Sequence, residues 1–350
     1  AKLKRALDFK SLAVSDLASV FISGVLGVTL AVLDFGVFAL VAQLVAAALA
    51  ASTCLWLISD WRPKLAFDWD AVRELLGYGS NLVGFRAFNY WSRQADDLLI
   101  GKLEGSSALG IYSKAYEFMK LPISQISAVL TRVMFPALSR IQSDKERVKR
   151  VYLKAVGAIA LLAFPMMLGL LVVADHFVLA LLGEKWAAVI PILRVFCIVG
   201  LLQSISTTTG WLYQSQGRTD WMFRWGIFAT IVTLIAFGVG ILWGVMGVVI
   251  AYTIRTALLT GINFSIAGRL VSMSLKDVLD AVTGELSCAL LMGLAVLGIK
   301  VALPTSAPHW VSLAVTVVSG AVVYFATVHL SRQPSYLEVR RVLEERLRNQ

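Results

Sequence analysis

The stretch "NYWSRQADDLLIG" (residues 89–101) has the position of a membrane-spanning helix, yet it carries Arg93, Asp96 and Asp97. Whether those charges cross a membrane decides the fold. The surrounding chain is greasy: 58% of its 350 residues are hydrophobic, 15% are charged, and the mean hydropathy is +0.76. A water-soluble chain with so little polar surface would aggregate. Apolar runs of about 20 residues recur at hairpin spacing, the length that crosses a bilayer. The chain therefore reads as an all-α polytopic membrane protein, because a helix satisfies its own backbone in lipid. About ten transmembrane helices are expected, over 12–33, 36–59, 79–101, 108–138, 155–174, 189–213, 221–242, 245–267, 283–303 and 310–330. The third and fourth are polar enough to escape a hydropathy scan, but loop charge and hairpin spacing require them.

Basic residues set the expected orientation. With the first residue in the cytoplasm, 21 of the 32 Lys and Arg fall in cytoplasmic segments and only Lys102, Lys185 and Lys300 outside. The net charge of +10 then belongs to loops facing anionic lipid, and no nucleic-acid partner is implied. Residues 62–78 have helical apolar spacing at Phe67, Val72, Leu75 and Leu76, which suits an interfacial linker. Residues 140–154 read as a charged connector, with Ser143 as a helix cap and Glu146 three positions on. The tail after residue 331 reads as a short amphipathic segment on the cytoplasmic surface. Cys54, Cys197 and Cys288 sit in apolar runs without ligand spacing. They read as small core residues, and neither metal nor cofactor is expected.

On the third span Arg86, Asn89, Tyr90, Arg93, Asp96 and Asp97 share one stripe. Each Arg or Asp at the bilayer centre costs about 2.5–3.5 kcal/mol, so this stripe must face water or protein. Asp97 is the expected ion-pair partner of Arg93, four residues away, whereas Arg86 has no local acid. On the fourth span Ser113, Glu117, Lys120, Ser124, Ser127 and Thr131 form a second stripe, with Tyr112, Lys114 and Tyr116 beside it and Pro122 as a bend. The hydroxyls read first as helix–helix bonds; Lys120 and Arg86 do not. Arg194 and Arg224 lie near helix ends and snorkel, while Arg255 lies deeper and joins the candidates. Pro165 and "STTTGW" (206–211) mark bent or loosened helices.

A faint repeat links "GVFALVAQL" at Gly36 to "GVMGVVIAY" at Gly244. It suggests two similar halves of six helices each. Residues 79–267 would then make one complete unit and 12–59 the end of another, with about four helices expected before residue 1.

The ordered run "NYWSRQADDLLIGKLEGSSALGIYSKAYEFMKLPISQISAVLTRVMFPALSR" (89–140) resembles the polysaccharide-transporter branch of the multidrug/oligosaccharidyl-lipid/polysaccharide exporter superfamily. "GEKWAAVIPIL" (183–193) and "TTGWLYQSQGRTD" (208–220) continue the match, and the nearest type looks like colanic-acid-exporter-like oligosaccharide flippases. The resemblance implies a fourteen-helix fold of two six-helix lobes plus two helices, of which this chain holds the last ten. Residues 1–61 would be the remnant of the N-lobe, 62–78 the amphipathic linker, 79–270 the six-helix C-lobe, and 271–350 two extra helices and a tail. It also implies a non-enzymatic job: moving an undecaprenyl-pyrophosphate-linked oligosaccharide across the bacterial inner membrane for surface polysaccharide assembly. Membrane lipids and polysaccharide polymerase or export machinery are the further expected partners. Substrate binding is expected at Arg86, Asn89, Arg93, Lys114, Lys120 and Arg255, and ion coupling at Asp96, Asp97 or Glu117. A drug/cation antiporter of the same superfamily would need an acidic, aromatic cavity; a membrane glycan polymerase or ligase would need a large outer loop.

Overall fold

The computed structural model describes residues 9–58, 69, 94–304 and 307–338. The candidates Arg86, Asn89 and Arg93, the first part of the third span, most of the linker at 62–78 and the end of the tail lie outside the described residues. Regular structure among the described residues is helical throughout. Two compact units are present, 1–82 and 83–350.

In the first unit α1 (Phe9–Val32) and α2 (Val37–Ile58) form a hairpin. Ser15, Ser19, Ser23 and Gly27 recur every fourth residue and are buried. Small side chains at that spacing let two helices approach closely. Ser15 reaches across to the Ala51 carbonyl at 3.4 Å. The turn needs left-handed backbone, supplied by Asp34 and by Gly36 at φ +54°.

The second unit contains α3 (Ala95–Leu103), α4 (Gly105–Arg140), α5 (Lys145–Leu181), α6 (Val189–Ser206), α7 (Thr209–Ser215), α8 (Thr219–Gly240), α9 (Gly244–Gly268), α10 (Leu275–Ala302) and α11 (His309–Leu330). One core cluster joins the far end of α4 to α5, α7, α9, α10 and α11, around Tyr152, Phe164, Leu212 and Phe264. The other joins α3 and the start of α4 to α6, α8 and α9, around Tyr112, Met119 and Phe196. Helices α8 and α9 nearly touch at their turn. A Cβ on Gly247 would run into the Gly240 carbonyl oxygen, so only glycine fits. Gly244, the counterpart of Gly36 in the sequence echo, also has positive φ, +70°.

Among the described residues, seven stretches are long and apolar enough to cross a membrane: 14–32, 37–58, 145–181, 189–215, 219–268, 275–302 and 309–330. The protein is thus a multi-pass membrane protein. The stretch 219–268 holds two helices, α8 and α9. The polar α4 is not among the seven.

Three local expectations are corrected. The connector at 140–154 is mostly helix: α5 starts at Lys145, ten residues before the span expected at 155–174. Its cap is Asp144 and not Ser143, because the Arg147 N–H donates to the Asp144 carboxylate at 3.0 Å. The span expected at 189–213 is two helices, broken between Ser206 and Thr209 within the "STTTGW" stretch. Helices α4 and α5, of 36 and 37 residues, each reach about 55 Å at about 1.5 Å per residue, beyond a core of about 30 Å.

The second unit has two unlike ends. One gathers the turns at 141–144, 216–218 and 269–274. There Lys149 binds Asp277 at 2.9 Å, and Lys154 pairs with Glu338 of the tail. The other end gathers Asp175, Glu184, Lys300 and His309.

Candidate functional site

Positive φ at Gly105 folds α4 back beside α3, so residues 16 apart meet. The Tyr112 hydroxyl donates to Asp96 Oδ2 at 2.7 Å, and Ser113 donates to Asp97 Oδ1 at 3.4 Å. Tyr112 is fully buried, stacks on Tyr116, and both rings meet the edge of Phe196 on α6. Tyr116 hydrogen-bonds Tyr252 of α9, whose hydroxyl also accepts from Gln203 Nε2 at 2.7 Å. A polar chain, joined between Tyr112 and Tyr116 by ring stacking, therefore runs through the second core cluster from α3 to α4, α9 and α6. Asp96 Oδ1 is buried at its end with no hydrogen-bond partner among the described residues. A buried acceptor left unpaired costs about 1–3 kcal/mol.

The stripe expected on α4 is present and faces outward. Lys114 and Glu117 pair at 2.7 Å, each about half exposed, so the charge of Lys114 is already met. Lys120 is exposed, lies 6.0 Å over the Tyr116 ring, and forms no ion pair among the described residues. The hydroxyls split. Ser124 bonds the Leu121 carbonyl of its own helix at 2.8 Å, whereas Thr131 accepts from Trp211 of α7 at 3.2 Å.

Next to this stripe, Phe118, Leu121 and Pro122 form part of the wall of a second feature. It is a cavity of about 730 Å³ between α4, α5, α10 and α11. Its other walls include Pro165, Met292, Gly320 and Phe325, and are almost wholly apolar. A cation and a greasy cleft thus lie side by side on one helix.

Arg255 stands on α9. Its Nη2 donates to the Ala229 carbonyl at 2.9 Å, tying α9 to α8, and its guanidinium lies 5.9 Å from the Tyr252 ring centre. It is not brought together with Lys114 and Lys120 by any bond among the described residues.

Several polar residues escaped the sequence reading. Lys300 donates to Asp175 at 2.7 Å and to the Val172 carbonyl at 2.9 Å, and Arg194 stands 3.6 Å from the same carboxylate. Arg194 is thus tied to an acid, where snorkelling was expected. Glu285 is buried, 2% exposed, within α10. A lone carboxylate in the apolar run 283–303 was the signal for it. Tyr252 and Gln203 gave none that sets them apart from the other polar residues of their spans. No three His, Cys, Asp or Glu among the described residues are grouped to hold a metal.

Long paired helices, a polar chain inside the membrane unit and an adjacent apolar cleft define a polytopic helical membrane protein. The chain belongs to the family described as polysaccharide biosynthesis protein, whose model matches residues 1–191. It is similar to the teichuronic acid biosynthesis protein TuaB of Bacillus subtilis (strain 168), at 28% identity over 92% of this chain and 68% of that protein. It is 32% identical to the lipopolysaccharide biosynthesis protein WzxC of Escherichia coli (strain K12), over 58% of this chain and 41% of that one. The succinoglycan biosynthesis transport protein ExoT of Rhizobium meliloti (strain 1021) is 28% identical over 69% of this chain and 49% of that one. The chain thus spans about two thirds of TuaB and under half of WzxC and ExoT. Among solved structures it shares the fold of the lipid II flippase MurJ in an inward closed conformation. The TM-score is 0.67 at 15% identity, over 89% of this chain and 66% of that one. The resemblance read from residues 89–140 is borne out at the level of family and fold.

Proposed function

We propose that this protein is a flippase that carries an undecaprenyl-pyrophosphate-linked oligosaccharide across the bacterial inner membrane by alternating access. The relatives' names point to surface polysaccharides, and the fold is that of a lipid-linked-precursor flippase. One observation carries the reading: Lys120, exposed and free of acid among the described residues, stands beside an apolar cavity of about 730 Å³ on the same helix. A lipid-linked pyrophosphate needs both. Its charge is excluded from lipid and is met by fixed cations in a wet crevice. Its prenyl chain needs only an apolar path.

In this reading Lys120, with Arg86, Asn89 and Arg93, binds the pyrophosphate and first sugars. Lys114 contributes once its pair with Glu117 opens. Arg255 holds α8 to α9. Asp96 offers its unpaired oxygen to a coupling proton or small cation, with Asp97 and Glu117 as the other acids within reach. Residues 79–270 act as one lobe, while 271–350 add the cleft-forming pair and the tail. The basic end of the second unit faces the cytoplasm, and the cargo passes to polymerising or export machinery on the far side. The protein performs no bond-breaking step.

Replacing Arg86 and Lys120 together with Ala should abolish glycan export in cells while membrane insertion stays normal. Unchanged export would remove both from the site. A second reading draws on Asp96 and its shell of Tyr112, Tyr116 and Phe196, an acidic aromatic setting suited to organic cations. A clear drug-resistance phenotype in an efflux-deficient host would favour that antiporter.

A further inference from the structure

A second groove, of about 510 Å³, lies between α8 and α9, apart from the polar chain and the apolar cleft. Helix α8 lines it with Trp221, Arg224, Trp225 and Phe228, which recur at steps of three, one and three and so share a face. Helix α9 answers with Ile262 and Ile266, and Arg269 follows at its C-terminal cap. Each helix thus brings one cation to the mouth and apolar surface to the interior. Just beyond Phe228 the Arg255 bond to the Ala229 carbonyl ties the two helices together.

The charges at the mouth are not equivalent. Arg218 stacks 4.4 Å over the Trp221 ring and grips Asp220 with two bonds, at 3.0 and 3.1 Å, so its charge is met. Arg224 and Arg269 are exposed and form no ion pair among the described residues. Two unmatched guanidinium groups facing one groove call for an anion, and their planar forks fit phosphate oxygens. Trp221 and Trp225 are half-buried, in the posture of rings at a membrane–water boundary. The groove opens at the end of the unit that carries the basic turns. A free phosphate would use the two arginines but leave Phe228, Ile262 and Ile266 unsatisfied. A phospholipid uses both ends.

We propose that this groove is a specific binding site for an anionic phospholipid, with the phosphodiester held between Arg224 and Arg269 and an acyl chain along Phe228, Ile262 and Ile266. It goes beyond the transport reading and does not depend on it. Independent snorkelling of the two arginines would give no preference for one lipid per chain, and that difference is measurable.

The test is native mass spectrometry of the purified full chain, offered phosphatidylglycerol or phosphatidylcholine of matched acyl chains. One phosphatidylglycerol should be retained about tenfold more readily than phosphatidylcholine, a gap of about 1.4 kcal/mol. Arg224→Gln with Arg269→Gln should bring the two lipids to parity, while Arg218→Gln should leave the preference intact. Excess inorganic phosphate should not displace the lipid. Equal retention of both lipids by the unaltered protein overturns the proposal, and that arm needs no variant to fold. Preference surviving in the double variant, or lipid displaced by phosphate alone, overturns it too.

Discussion

The two faces of α4 are held in shape by different forces. On one, Tyr112 and Ser113 meet Asp96 and Asp97 through hydrogen bonds with fixed lengths and directions. On the other, Phe118, Leu121 and Pro122 bound a cavity whose only specification is volume and greasiness. Directional bonds fail when one atom is removed, even if the shape is kept. An apolar wall tolerates swaps that conserve volume and fails when volume changes. This division suits an amphipathic cargo, because a headgroup must be recognised and a long tail only accommodated.

The largest effect is expected where the polar face meets cargo. Lys120→Ala should reduce glycan export at least about tenfold, equivalent to about 1.4 kcal/mol of lost binding in the transported state. Lys120→Arg should retain most of it. Export is read as surface polysaccharide in cells, normalised to the amount of protein in the membrane. If Ala and Arg variants behave alike, charge is not what Lys120 supplies.

A somewhat smaller loss should follow from filling the cavity. Ala321 is exposed and lines it, so Ala321→Trp adds bulk into open space with little folding penalty. Export should fall about three- to tenfold, while Leu121→Met, which keeps volume, should stay within about twofold. A tryptophan that fills the cleft without slowing export would separate the cavity from transport.

Next comes the polar chain itself. Tyr112→Phe removes the side-chain donor to Asp96 and leaves the Oδ2 of a buried carboxylate without that bond. The cost should be about 1–3 kcal/mol, seen as a lower unfolding temperature in detergent. Adding Asp96→Leu to Tyr112→Phe should recover much of that loss, because no polar atom is then stranded. If the two losses simply add, the bond is not what stabilises this corner.

The unequal legibility of the two faces in the sequence has the same origin. Helix positions followed from apolar run length, so α1, α2, α8, α9 and α11 begin and end within three residues of expectation. Hydropathy does not report where a polar connector turns helical, and α5 therefore starts ten residues early, on the cap formed by Asp144. The stripe on α4 was readable because its residues recur at helical steps. Its partners were not: Tyr252 and Gln203 lie far apart in the sequence, and only the fold brings them together. The cavity left no signal at all, since Leu, Phe and Met read alike whether they face a neighbour, lipid or empty space. Arg255 was readable from its depth in a span, but its carbonyl partner on α8 was not.

The smallest expected effect probes the stripe where sequence and structure agree that nothing should happen. Ser124 lies in register with Lys120 on the outward face, one turn further along α4. Periodicity alone would enrol it in the site. Its hydroxyl, however, donates to the Leu121 carbonyl of its own helix at 2.8 Å, beside the bond that Pro122 cannot make. Ser124→Ala should therefore change stability by no more than about 0.5 kcal/mol and leave export unaltered. A marked loss of export with stability intact would mean that the hydroxyl leaves its own backbone to meet cargo. The polar face would then extend a full turn deeper than Lys120, past the level at which the apolar cleft begins.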